Sequence, residues 1–434
     1  MKNLKTQLSF FKASGWLILA TMAGGVGMFL VQVVAIEWLR PQEYGLMNTL
    51  FQTLNLAMIP ALGLQTVFAQ QAAGALKEED NYQTIVAARH VLFALLILWG
   101  LAAIYLFVSQ DYWMHKLKSN IALPLWLTLG AALPQLCLPV WLGILQGREQ
   151  FLWLGNAIIS NGMMRLLAAI VLVGILGFGV SGAVASALAG FAFAVAICFW
   201  KIPNSGRKQN ISFDWGKWLK KIIPLTLGLG SSTFFLGYDM IVVRMKFEEA
   251  MSGYYGAAGL CGRGLVIFTI PIAQVMFPKV VKLSSSRDGA NKVVWLSFVS
   301  TGALALLACL GIWLVAIIIE KSISGDISLG SQILSQLNQE QLGKLEYISQ
   351  LAPSFALAMT PLCLANVLIN NLIAKKDYSH LWLLISVTMS YGVTLMYWTP
   401  DSLSLVITMI GFFSCLLLVS AAFSLWRTSD KHEN

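Results

Sequence analysis

In a chain of 434 residues, 57% are hydrophobic and 11% charged, with a formal net charge of +9. Soluble domains carry about 25% charged residues, so this sequence has too little polar surface to cover itself in water, and a soluble globular domain is excluded. Sorted by loop, the positive charge follows a membrane-topology pattern, which argues against nucleic acid as a partner.

Apolar runs of about twenty residues recur along the whole chain, each long enough to cross about 30 Å of hydrocarbon. They do not alternate with period two, so they predict helices rather than barrel strands. In chain order the expected spans are 15–36, 46–68, 90–109, 121–145, 151–175, 178–200, 222–243, 256–278, 293–319, 347–372, 380–398 and 403–426. Lys2 and Lys5 precede the first span without a small-residue cleavage site, so that helix is expected to stay in the protein. The prediction is an all-α polytopic membrane protein of about 12 transmembrane helices in two six-helix bundles, 1–205 and 206–434, around a central cavity.

Orientation follows from the loops. With the N-terminus inside, inner segments hold 20 of the 29 Lys and Arg and outer segments 7, leaving Arg165 and Arg263 within helices. The central loop, Lys201 to Lys221, has six basic residues against one acidic residue, Asp214, and marks the cytoplasmic side. Both termini are expected there, in a bacterial inner membrane.

The six cysteines all fall inside predicted spans without paired spacing, and the four histidines are scattered, so neither a disulfide framework nor a metal site is expected. No cofactor is implied. Residues 44–60 and 255–271 align at a constant offset of 211, matching Tyr44 with Tyr255, Gly45 with Gly256, Leu54 with Leu265, Ile59 with Ile270 and Pro60 with Pro271. Six spans lie on each side of the basic loop, so a duplication would give two halves of the same orientation, related by an axis along the membrane normal and leaving a cleft between them. Pro60, Pro134, Pro139, Pro224, Pro271, Pro353 and Pro361 stand inside spans and are candidates for kinks.

Arg165 lies about 21 Å along its span, and Arg263 is similarly deep. An arginine at mid-membrane costs about 2.5–3.5 kcal/mol or more, so both should point into the bundle. A guanidinium offers a planar fork of donors that matches phosphate oxygens, which makes Arg165 and Arg263 candidate anion-binding residues. The alternative for Arg263 is a structural ion pair with Asp239 on the adjacent helix, and Asp239 is either that partner or an ion-coupling carboxylate. Gln65, Asn55 and Asn161 are further candidates for binding substrate hydroxyls, within a wider set of amides that includes Asn48, Gln52, Asn156, Asn366, Asn370 and Asn371.

Glu43-Tyr44-Gly45-Leu46 with Gly63-Leu64-Gln65-Thr66, Ile144-Leu145-Gln146-Gly147-Arg148 with Phe151, and Tyr238-Asp239-Met240-Ile241 with Tyr255-Gly256 resemble polysaccharide-export flippases of the Wzx type. These belong to the multidrug/oligosaccharidyl-lipid/polysaccharide exporter superfamily, which also holds multidrug extruders and peptidoglycan-precursor flippases. The resemblance implies two six-helix bundles around a cavity and transfer of undecaprenyl-diphosphate-linked oligosaccharide to the outer leaflet, for O-antigen, capsule or exopolysaccharide synthesis. It implies that cavity arginines hold the diphosphate, a role carried to Arg165 and Arg263. Expected partners are the lipid-linked oligosaccharide and membrane lipids, with possible contacts to polymerase and chain-length proteins, and a monomeric state. The rival readings are a multidrug or metabolite extruder, which would favour acidic cavity residues for cationic substrates, and a membrane polymerase or ligase. The latter needs an external active site, whereas the outer segment Glu320 to Glu346 has neither histidine nor arginine and no Ser-His-Asp set or carboxylate pair appears.

Overall fold

A computed structural model of the chain describes residues 2–75, 78–201, 214–282, 287–324, 339–375, 381–398 and 401–430. These are helical almost throughout, and no strand occurs among them. In order the helices are α1 (Lys2–Trp38), α2 (Pro41–Ala57), α3 (Leu64–Gly74), α4 (Glu78–Lys116), α5 (Leu123–Gly147), α6 (Phe151–Ala169), α7 (Gly179–Lys201), α8 (Trp215–Lys246), α9 (Glu249–Lys282), α10 (Arg287–Ile323), α11 (Gln339–Ala374), α12 (Leu381–Tyr397) and α13 (Leu403–Asp430). A 3₁₀ turn, Ile59–Ala61, joins α2 to α3, and a π-helical turn, Ile170–Ile175, ends α6.

Ten helical segments among the described residues are long and apolar enough to cross a membrane, α2 and α3 counting as one, and α12 is a shorter apolar helix. The protein is a multi-pass membrane protein. Side chains that would be sealed in a soluble core stand open to lipid here, among them Phe107 on α4, 74% exposed, and Leu307 on α10, 67% exposed. Hydroxyls inside the helices meet the same constraint by bonding their own backbone one turn back, as Thr49 does to Gly45 (2.8 Å) and Thr128 to Pro124 (2.7 Å).

The chain divides into two compact units, Met1–Thr226 and Leu227–Asn434, the division falling within α8. The boundary expected at 205/206 lies in 202–213, outside the described residues, as does 325–338 of the expected outer segment. In the first unit α6 packs between α1 and α7, and α5 between α3 and α7. In the second, α11 is central, against α9, α10 and α13. The short α12 is closed at its C-terminal end by Lys246, whose Nζ donates to the carbonyls of Leu395 (2.9 Å) and Trp398 (3.1 Å).

Of the prolines expected to disturb helices, Pro134, Pro139, Pro224, Pro353 and Pro361 sit inside continuous helices, and α9 runs unbroken through position 271. Pro60 differs. Its missing N–H falls where Ala61 and Leu62 turn to carbonyls three residues back, Met58 (2.8 Å) and Ile59 (3.2 Å), so the α-helical ladder stops and restarts.

Close approach of α1 and α6 depends on glycine. A Cβ on Gly162 would lie 2.8 Å from the Cα of Gly24, and one on Gly27 would lie 2.8 Å from the carbonyl carbon of Gly162. Backbones this close make up by dispersion for the hydrophobic drive that lipid does not supply. Gly162→Ile is therefore expected to lower folded yield and the melting temperature in detergent, by about 1–3 kcal/mol of overpacking. Gly100→Ile, where a Cβ meets nothing within 4 Å, should leave both unchanged.

Candidate functional site

The two arginines expected at mid-membrane, Arg165 and Arg263, stand in opposite circumstances. On α9, Arg263 is 6% exposed; its Nη2 donates to Asp239 Oδ2 at 2.6 Å and its Nε to the Leu236 carbonyl at 2.8 Å. Asp239, on α8 and fully buried, also accepts from the Tyr255 hydroxyl at 2.6 Å. The Arg263 guanidinium further lies 5.1 Å from the Phe355 ring centre and 5.9 Å from that of Tyr255. Its charge is thus neutralised within the second unit. Of the two readings open for Asp239, the geometry displays the ion pair.

Arg165 has no such counterion. Its guanidinium carbon sits 4.2 Å over the Phe51 ring on α2 and 6.0 Å from the Phe191 ring on α7. Its Nε is buried, and it makes neither a hydrogen bond nor an ion pair among the described residues. The side chain as a whole is partly exposed. Cation–π attraction of about 0.5–2 kcal/mol seats the cation without neutralising it, so its donors stay free for an anion.

One turn earlier on the same face of α6 is Asn161, 6% exposed, whose Oδ1 is also without a partner among the described residues. Gly190 on α7 makes room for both: a Cβ there would lie 2.9 Å from Asn161 Oδ1 and 3.0 Å from Arg165 Cβ. Five residues beyond Arg165 the helix widens into the π turn, where the Leu176 N–H reaches back to the Val171 carbonyl at 2.9 Å. An inserted residue of this kind rotates the side chains before the turn relative to those after it, and such turns concentrate at functional positions.

Asn55, exposed on α2, donates Nδ2 to Gln52 Oε1 at 2.9 Å, one turn along from Phe51. Gln65 lies on α3 beyond the break, and its Nε2 bonds Gln146 Oε1 on α5 at 3.0 Å. The structure therefore brings Arg165 and Asn161 together, sets Asn55 on the helix that carries Phe51, ties Gln65 to α5, and places Arg263 with Asp239 in the other unit. Phe51, Phe191 and Gly190 complete the arginine's seat and were not among the expected site residues. An aromatic or a glycine in an apolar helix carries no signal that separates it from ordinary packing.

No family model matches the sequence, and no curated protein matches it. Solved structures do. The chain resembles an inward-facing multidrug resistance MATE family transporter of the MOP superfamily at TM-score 0.73 and 16% identity, over 94% of this chain and 95% of that one. It resembles the lipid II flippase MurJ in an inward closed conformation at TM-score 0.69 and 11% identity, over 96% and 87% of the two chains. A third match is a MOP superfamily transporter from Pyrococcus furiosus whose pocket is described as of reverse polarity, at TM-score 0.60 and 16% identity, covering 96% of each chain. The chain has the fold of the MOP-superfamily transporters. A multidrug transporter and a lipid flippase share that fold, so the fold alone does not assign a substrate.

Removing one partner of the Asp239–Arg263 pair leaves a bare charge in the second unit, a loss of about 3–5 kcal/mol. Arg263→Met alone should abolish most folded protein, read as monodisperse yield in detergent. Arg263→Met combined with Asp239→Leu should restore it, because both charges are then gone.

Proposed function

We propose that this protein moves a lipid-linked oligosaccharide, carried on a polyprenyl diphosphate such as undecaprenyl diphosphate, from the inner to the outer leaflet of a bacterial cytoplasmic membrane by alternating access. The observation that carries this reading is the unneutralised Arg165 guanidinium, held deep in α6 on two aromatic rings with its donors free. A diphosphate is the membrane-borne group that such a fork matches, and low hydration strengthens the attraction. The sequence resemblance to polysaccharide-export flippases and the shared fold with a lipid II flippase point the same way.

The step needs no covalent chemistry. The headgroup would be taken up from the cytoplasmic side, the halves would rock, and the sugar would emerge outside while the lipid tail stayed in the bilayer. With about two negative charges on the diphosphate diester, outward movement against a fixed arginine would release about 4–5 kcal/mol per 100 mV of interior-negative potential. The basic inner segments fit an orientation with both termini in the cytoplasm. Extrusion of cationic drugs is disfavoured by the same arginine, and the buried carboxylate Asp239 already holds a cation in Arg263.

Deleting the gene should accumulate undecaprenyl-linked sugar on the inner leaflet and remove mature surface glycan; unchanged glycan in the absence of a redundant flippase would sink the reading. Arg165→Gln should cut export about 10- to 100-fold at unchanged protein level, matching about 1.5–3 kcal/mol for a hydrogen bond to a charged group. Full export by that variant would return Arg165 to a structural role.

A further inference from the structure

Gln135 is the thirteenth of the 25 residues of α5, and it is 4% exposed. Its Nε2 reaches the thioether sulfur of Met58 at 3.6 Å, and its Oε1 is buried with no partner among the described residues. A thioether is a weak acceptor, so this amide is poorly satisfied on both sides. A leucine or methionine would fill the same volume without stranding an oxygen, so the fold itself gains nothing from the carbonyl group.

The surroundings say what it is placed to meet. Met58 closes α2 at the break that Pro60 imposes. Phe51, Asn55 and Met58 succeed one another at i, i+4 and i+7, on one face of α2. Arg165 stands over Phe51 and Gln135 against Met58, so their footholds are seven residues apart, about 10 Å along the helix. Between them is Asn55, which uses one of its two Nδ2 hydrogens on Gln52 and keeps the acceptor Oδ1 and the second hydrogen for a ligand. The strip thus runs from a free cationic donor at one end to two amide acceptors at the other.

We propose that Gln135 and Asn55 accept hydrogen bonds from hydroxyl groups of the sugar nearest the diphosphate, while Arg165 holds a phosphate oxygen, so that the first unit reads the junction between carrier and glycan. This rests on the proposed function. Ligand hydroxyls are the donors that a buried amide oxygen lacks here, and a spacing of about 10 Å suits a phosphate linked to a sugar ring. Gln135 is then a specificity-determining residue, inert toward the bare carrier.

The test uses the full chain in nanodiscs and two kinds of probe, polyprenyl diphosphate without sugar and the same lipid carrying one hexose or one N-acetylhexosamine. Wild type should bind at least one sugared form about 5- to 10-fold more tightly than the bare lipid. Gln135→Leu should remove most of that preference, leave bare-lipid affinity within about twofold, and melt at the same temperature or higher. Asn55→Leu should reduce the preference in part. The proposal is overturned if wild type shows no preference, if Gln135→Leu keeps it, or if that variant weakens bare and sugared lipid alike. Loss of folded protein in both Gln135→Leu and Gln135→Met would make the amide a structural tie, and stabilisation of wild type but not Gln135→Leu by sodium ions would make it a cation site; either result also overturns the proposal. Arg165→Gln separates the two levels: it should weaken both lipids equally, and if it weakens neither, the diphosphate reading fails on its own account.

Discussion

A guanidinium stays protonated in almost any protein environment, so a helix that carries one into hydrocarbon must supply it with something to interact with. Arg165 and Arg263 meet that demand in different ways, and the rest of the site depends on the difference. Arg263 is given a carboxylate, a backbone carbonyl and two ring faces, and in return it locks α9 to α8. Arg165 is given ring faces and nothing ionic. The charge on Arg263 is paired within its unit, whereas that on Arg165 is not paired among the described residues.

The internal alignment of residues 44–60 with 255–271 makes the contrast sharper. At the offset of 211 that aligns Tyr44 with Tyr255, Arg263 corresponds to Gln52. Both tyrosines are buried and both use the hydroxyl to hold the helix before them, Tyr44 to Gln32 Oε1 at 3.1 Å and Tyr255 to Asp239 Oδ2 at 2.6 Å. The first unit thus has neutral amides where the second has an ion pair. Arg165 sits instead on α6, outside the aligned segment. In each unit a buried tyrosine hydroxyl ties neighbouring helices together, and in the second the tie is reinforced by charge.

Fold class and span positions were legible because the membrane imposes length and polarity on every crossing helix, and that constraint is written residue by residue. The ion pair was legible for a related reason: two charges on adjacent apolar helices have few other places to go. Local backbone events were not. Ile59-Pro60 and Ile270-Pro271 are the same dipeptide at the same register, yet the chain breaks at the first and runs on as helix at the second. Whether a proline stops a helix depends on what neighbours supply, and pattern does not record neighbours. Gln135 escaped notice for the opposite reason, as a lone amide between Pro134 and Pro139 in an otherwise apolar span, and it becomes informative once its partners can be counted.

Under the proposed function, substrate must be both gripped and released in each cycle, and the energies of the alternatives decide which arginine suits that task. For an anion to bind Arg263 it would have to displace Asp239, uncovering a buried carboxylate at a cost of about 3–5 kcal/mol. For an anion to bind Arg165 it need only add to the contact with Phe51 and Phe191, because a phosphate oxygen in the guanidinium plane does not compete with a ring on its face. The gain of about 1.5–3 kcal/mol per charged hydrogen bond is then kept for binding rather than spent on breaking a pair, and it is small enough to be reversed within a transport cycle. A cation seated on aromatic rings is thereby ready for its ligand and able to let it go.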